Sequence, residues 1–143
     1  MVSTSVEHQG FSESDVEELL KKPENEVFDR TVGGQDSIGK AIAGFGTKNG
    51  GILLVGQDDF KRGGKVVGIS EEEFQKEFSN AITSIKPKPL TQQKIVEVRG
   101  VKLALLRIQD VGVLKPCSYK GVFYERIGDS VHQLPPEEVK RYH

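Results

Sequence analysis

Residues 49–59 read NGGILLVGQDD: four consecutive apolar residues run into Gly56, Gln57 and two adjacent carboxylates, Asp58 and Asp59. A strand leaving the core in this way can deliver a carboxylate to an edge where chemistry happens. It can equally end in a turn whose acidic oxygens accept backbone N–H groups. A second stretch, Gly34-Gln-Asp-Ser-Ile-Gly39-Lys40-Ala41, comes close to the phosphate loop G-x-x-x-x-G-K-[ST] and lies between a predicted strand and a predicted helix. Ala41 has no hydroxyl for a magnesium ion, and Asp36 sets a negative charge where phosphates would lie. A glycine turn into a helix is therefore the stronger reading of this stretch, and nucleotide hydrolysis the weaker.

Charge supplies the third feature. The formal net charge is only −1, yet residues 1–60 hold 11 acids against 5 bases, and residues 61–143 hold 10 acids against 15 bases. Within 83–126 the bases are Lys86, Lys88, Lys94, Arg99, Lys102, Arg107, Lys115, Lys120 and Arg126, set against Glu97, Asp110 and Glu125. An acidic site beside a basic surface fits this division, as does a sheet whose wet face carries solubilising charge. On the first view Lys86, Lys88, Lys115, Lys120 and Arg126 contact phosphates, and Tyr119, Phe123 or Tyr124 stack on unpaired bases. Phe123 and Tyr124, adjacent on one strand, cannot both do so; one belongs in the core.

These residues need elements to position them. Ser12 or Ser14 ahead of DVEELLKK predicts a capped helix that Pro23 stops. NEVFDRTV predicts a strand ended by Gly33-Gly34, and Asp36 or Ser37 is expected to cap the helix SIGKAIAGFGTK. ILLV predicts a central strand covered on both faces, and GGKVVGI a short return strand. Ser70 with Glu73 forms a capping box for a helix whose inner stripe holds Phe74, Phe78, Ala81, Ile82 and Ile85. KIVEVR and KLALLRI follow as a hairpin turning at Gly100-Val101, then the strand GVFYERI and a last helical turn at Leu134-Pro135-Pro136. Helices and strands alternate early and strands cluster late. The fold class is therefore α+β, a single domain over 1–143 with mixed, mainly antiparallel sheets flanked by helices. Residues 1–11 are expected to be a loosely ordered extension. No apolar run approaches the roughly 18 residues of a membrane span, no export signal is visible, and the lone Cys117 reads as a small buried residue, so a cytoplasmic location is the default. His8, His132 and His143 show no ligand spacing.

In this order and spacing the pieces ENEVFDR, AGFGTKNGGILLVGQDD, KVVGI, KPKP, LKPCSYKGVFYERIGDS and LPPEE resemble the AlbA-type domain of the Schlafen family, from about Ser12 to Glu138. The resemblance implies nucleic-acid binding. It further implies, as in several members, endoribonuclease cleavage of structured RNA such as tRNA or rRNA by three acids and a divalent metal. Carried over by position, the acids are Glu24, Asp29 and Asp58, with Asp59 the neighbouring candidate ligand. Asp29 stands where the family usually has glutamate, Thr31 where it often has lysine, and Thr47 where it has asparagine. Oxygen ligands of this kind suit Mg²⁺ or Mn²⁺. Positions five apart on an unbroken strand face opposite sides, so the chain must bend near Pro23-Glu24 if Glu24 is to join Asp29. A domain this small covers little RNA, and a homodimer with a shared groove is expected. The rival reading is a non-catalytic DNA- or RNA-binding regulatory module.

Overall fold

The computed structural model describes residues 12–142; residues 1–11 and His143 lie outside it, and with them the expected N-terminal extension and His8. The first helix, α1 (Glu13–Leu20), begins where Ser12 accepts a hydrogen bond from the Asp15 N–H. Strand β1 (Phe28–Thr31) is shorter than NEVFDRTV suggests. Asn25 folds the chain first: its Oδ1 accepts from Val27 N–H at 2.8 Å, and its own N–H donates to Phe28 O at 2.9 Å. The chain thus turns before β1, but the turn does not bring Glu24 to Asp29: Glu24 pairs with Arg30 and Asp29 with Arg126.

Helix α2 (Gln35–Thr47) starts on Gly34, which caps it without a side chain. Asp36 does not cap, because its carboxylate accepts from the Tyr119 hydroxyl at 2.6 Å and pairs with Lys120 at 3.1 Å. From Ile38 to Thr47 every residue of α2 is buried except Lys40. Strand β2 (Gly51–Val55) follows, and then a 3₁₀ turn over Phe60–Arg62. The return strand expected at GGKVVGI does not form. Val67 and Gly68 both donate to Gly56 O, wrapping a loop around one carbonyl instead of extending a ladder. Helix α3 (Glu71–Ile82) is capped by Ser70, whose Oγ accepts from Glu73 N–H.

The remaining strands are β3 (Ile85–Lys86), β4 (Thr91–Val98), β5 (Val101–Ile108), β6 (Ser118–Tyr119), β7 (Val122–Ile127) and β8 (Ser130–Gln133). Short 3₁₀ segments cover Gly112–Leu114 and Pro136–Tyr142. The β4–β5 hairpin turns at Arg99-Gly100, both at positive φ, one residue earlier than the sequence suggests.

Two four-stranded sheets result, ordered β1-β2-β5-β4 and β3-β6-β7-β8. β1 and β2 are parallel, joined across α2, and the other pairings are antiparallel. The fold is α+β with mainly antiparallel sheets, and ILLV is an interior strand. Helix α2 packs on both sheets, which explains why its sequence is small and apolar all round. A Cβ on Gly39 would stand 2.3 Å from the Tyr119 ring, and one on Gly46 would stand 2.7 Å from Cys117 Sγ. α1 covers the outer face of the first sheet through Val16 and Leu20, against Phe28, Leu54, Val98, Leu103 and Leu105.

Candidate functional site

Two buried guanidinium groups flank β1, and they organise the acids. Arg30 points toward α1. Its Nη1 donates to Glu24 Oε2 at 2.8 Å, its Nε to Gln57 Oε1 at 2.7 Å, and its Nη2 to the carbonyls of Leu19 and Lys22. The rings of Phe28 and Phe60 stack on it, at 4.8 and 5.1 Å. Glu24 also accepts from Phe60 N–H at 3.0 Å, so this carboxylate ties the end of α1 to the turn after β2. Arg126, on β7, approaches β1 from the opposite face. Its Nη1 donates to Asp29, and its Nε and Nη2 to the carbonyls of Asn25 and Phe28. Burial lifts the Asp29 carboxyl above its ordinary value, and the Arg126 charge and hydrogen bond oppose that rise.

Between the two sheets lies a cleft of about 320 Å³. Asp29 and Thr31 of β1, Ser37 and Lys40 of α2, Asp59, and the Asp129–Val131 turn all line it. Lys61 Nζ meets Asp129 Oδ2 at 3.3 Å, linking the turn after β2 to the turn between β7 and β8. Lys40 is the one exposed residue in the buried Ile38–Thr47 stretch of α2, and it lines this cleft.

Of the four acids singled out in the sequence, Asp29 and Asp59 line the cleft; Glu24 and Asp58 do not. Asp58 Oδ1 accepts from Asp59 N–H at 2.7 Å, and Asp59 Oδ1 accepts from Lys61 N–H at 2.8 Å, which is an acidic turn closing on its own backbone. Asp129, Ser37, Ser130 and Lys40 complete the cleft, and the sequence reading did not assign them to it. The available signals were the quoted motif YERIGDS, which contains Asp129, and the isolation of Lys40 among small and apolar neighbours.

A magnesium or manganese centre needs carboxylate oxygens free to converge on one ion. Glu24 is committed to Arg30, and Asp29 to Arg126. Among the described residues, no three His, Cys, Asp or Glu side chains are grouped to hold a metal. The residues as placed do not fit a shared three-carboxylate ion. The phosphate-loop reading of Gly34–Ala41 meets a similar obstacle, since the chain is already helical from Gln35 and leaves no loop to cradle phosphates.

The family profile "Schlafen, AlbA_2" matches residues 13–135. The chain belongs to this family. The Schlafen domain shares its fold with the DIP2311 protein of Corynebacterium diphtheriae (TM-score 0.61, 18% identity), covering 90% of this chain and 27% of that one. It also matches the N-terminal domain of a Nitrosomonas europaea protein described as related to the DNA helicase RecG (TM-score 0.55, 22% identity), over 84% of this chain and 90% of that one. The chain thus spans little more than a quarter of the Corynebacterium protein. No protein of curated function matches it in sequence.

Within this Schlafen domain the basic candidates divide. Lys86 and Lys88 are exposed. Lys115 is half-buried and pairs with Asp110 at 2.8 Å, while Lys120 is exposed and pairs with Asp36. Arg126 is buried with its donors turned inward, a geometry that offers nothing to an incoming phosphate. Among the aromatic residues Tyr119 is buried, Phe123 lies along an apolar groove with Leu134 and Val139, and Tyr124 is half-buried against the α2 core. No helix of the described residues is long and apolar enough to cross a membrane.

Proposed function

We propose that this Schlafen AlbA_2 domain binds nucleic acid and grips phosphates at the C-terminal end of α2. One observation carries the reading. The cap of α2, the loop leaving β3 and the loop between β5 and β6 meet there, and these segments carry Lys48, Lys86, Lys88 and Lys115 along with the acid Asp110. Asp110 is internally satisfied, accepting from Asn49 N–H, Gly112 N–H and Lys115 Nζ. A chain with net charge −1 therefore presents a local cationic end, and local field governs contact with a polyanion.

Structured RNA, tRNA or rRNA, is the ligand we favour over DNA, on the family resemblance. Hydrolysis of that RNA is a second reading, supported by Asp29, Asp59 and Asp129 lining one cleft with Lys40. It stands second because Asp29, at the cleft, is paired with the buried Arg126, and Glu24, outside it, with the buried Arg30. Titration of labelled tRNA and duplex DNA against the protein at several salt concentrations tests binding. Replacing Lys86 and Lys88 by glutamine should flatten the dependence of log K on log salt by roughly 0.7–0.9 per lysine. An unchanged slope would reject the proposed surface. Incubation of the same tRNA with Mn²⁺ tests cleavage: specific products that vanish in Asp29→Ala would promote the second reading above the first. Light scattering on the same samples reads whether the working unit is the homodimer we expect.

A further inference from the structure

Three of the most exposed large apolar side chains in the described chain sit on the same cationic end. Leu90 is 71% exposed, Val113 93% and Leu114 66%. They belong to two loops that are held side by side. Gln109 N–H donates to Leu90 O, Val111 N–H donates to Gly46 O, and Cys117 Sγ lies 3.4 Å from Pro87 O. The Asp110 carboxylate pins the turn over Gly112–Leu114 by accepting from Gly112 N–H and pairing with Lys115. Val113 and Leu114 are thus presented on a turn fixed from both sides, with Lys88 two residues from Leu90 on the adjoining loop.

We infer that this end is an aliphatic wedge: Val113 and Leu114, with Leu90 beside them, enter a weakened base step while Lys86 and Lys88 hold the flanking phosphates. The inference rests on the nucleic-acid reading and specifies its ligand. Charge selects the occupant, since the segments that carry the apolar tip also carry Lys86 and Lys88, both exposed, and Asp110 between them and the tip is internally paired. Chemistry selects the mode. Aliphatic side chains cannot stack as aromatics do, and they act by prising apart a base step and bending the helix. The favoured ligand is therefore a duplex or hairpin containing a bulge or mismatch, where unstacking costs least.

A hairpin RNA with one bulged nucleotide and 2-aminopurine next to the bulge provides the probe. Wild-type protein should raise 2-aminopurine fluorescence on binding. Val113→Ser with Leu114→Ser should abolish the rise and weaken binding by about a hundredfold, the lower end expected when two aliphatic side chains lose their burial, with the salt slope unchanged. Lys86→Gln with Lys88→Gln should flatten the salt slope and keep the fluorescence rise at saturation. Thermal melting of each variant confirms the fold. If the wild type binds the hairpin and the serine variant binds equally well with the same fluorescence, the wedge is overturned while the nucleic-acid reading stands. If the wild type binds neither hairpin nor duplex, that reading itself fails. Leu114-dependent binding to phosphatidylserine vesicles without nucleic-acid binding would overturn both in favour of a membrane surface.

Discussion

Arg126→Met distinguishes a phosphate contact from a structural tie, because the two roles predict opposite results in two assays. The sequence places Arg126 in a basic strand; the fold buries it and aims its donors at Asp29, Asn25 O and Phe28 O, with its guanidinium 5.1 Å from the Phe45 ring. Methionine retains much of the aliphatic volume and removes the charge and every hydrogen bond. Asp29, whose side chain is only one-fifth exposed, then keeps a carboxylate without its main counter-charge. Breaking one side of a buried pair costs about 3–5 kcal/mol. For a domain of this size that lowers Tm by roughly 9–15 °C.

Burial already raises the Asp29 carboxyl above 3.8 in the folded state, and losing Arg126 raises it further. A carboxyl raised on folding contributes stability below its unfolded value, and this is lost as pH climbs through the folded value. The deficit of Arg126→Met should therefore be smallest near pH 4 and grow toward pH 7. In a double-mutant cycle with Asp29→Asn, the two costs should fall short of additive by about 2 kcal/mol. Nucleic-acid affinity of the folded variant should keep the wild-type salt slope. A Tm within about 2 °C of wild type together with a flattened salt slope would refute the structural role and restore the arginine to the binding surface.

Three further outcomes follow from the same geometry. Glu24→Ala removes the carboxylate that holds the fully buried Arg30 and the Phe60 N–H, and should cost about 3 kcal/mol in chemical denaturation. Gly39→Ala forces a methyl group into the Tyr119 ring, whose hydroxyl is anchored on Asp36, and should cost about 1–3 kcal/mol, with relief when Tyr119 is shortened. Cys117, buried and pushed up to about 12, should resist thiol reagents at pH 8 in the folded protein and react at once in denaturant; rapid labelling under native conditions would contradict its placement.

Elements governed by neighbours in sequence were legible. Ser12, one of the two serines offered, and Ser70 cap the helices that follow them, and ILLV is the interior strand that its uniform apolarity implies. Failures occur where a distant partner decides. Asp36 has the chemistry of a helix cap, but Tyr119 and Lys120, more than eighty residues away, claim its carboxylate. The strand reading of NEVFDRTV missed the local competition of Asn25 for backbone N–H groups, a signal present in the asparagine itself. For the site, strand parity made the meeting of Glu24 and Asp29 depend on a bend; the chain does turn at Asn25, yet Glu24 goes to Arg30 and Asp29 to Arg126. The two guanidinium groups carried no local mark of burial, since Arg126 meets Asp29 across 97 positions. A charged residue in an alternating strand is read as wet unless its partner is known.

The bare face of α2 carries a lesson for how this chain can vary. Gly39 abuts Tyr119 and Gly46 abuts Cys117, so the separation of helix and second sheet is set by atoms that are missing on one side. Neither layer can change its bulk alone. Enlarging the helix at either point demands trimming the sheet at its opposite number, and a library randomised over all four positions should return survivors whose combined volume stays constant, in matched pairs.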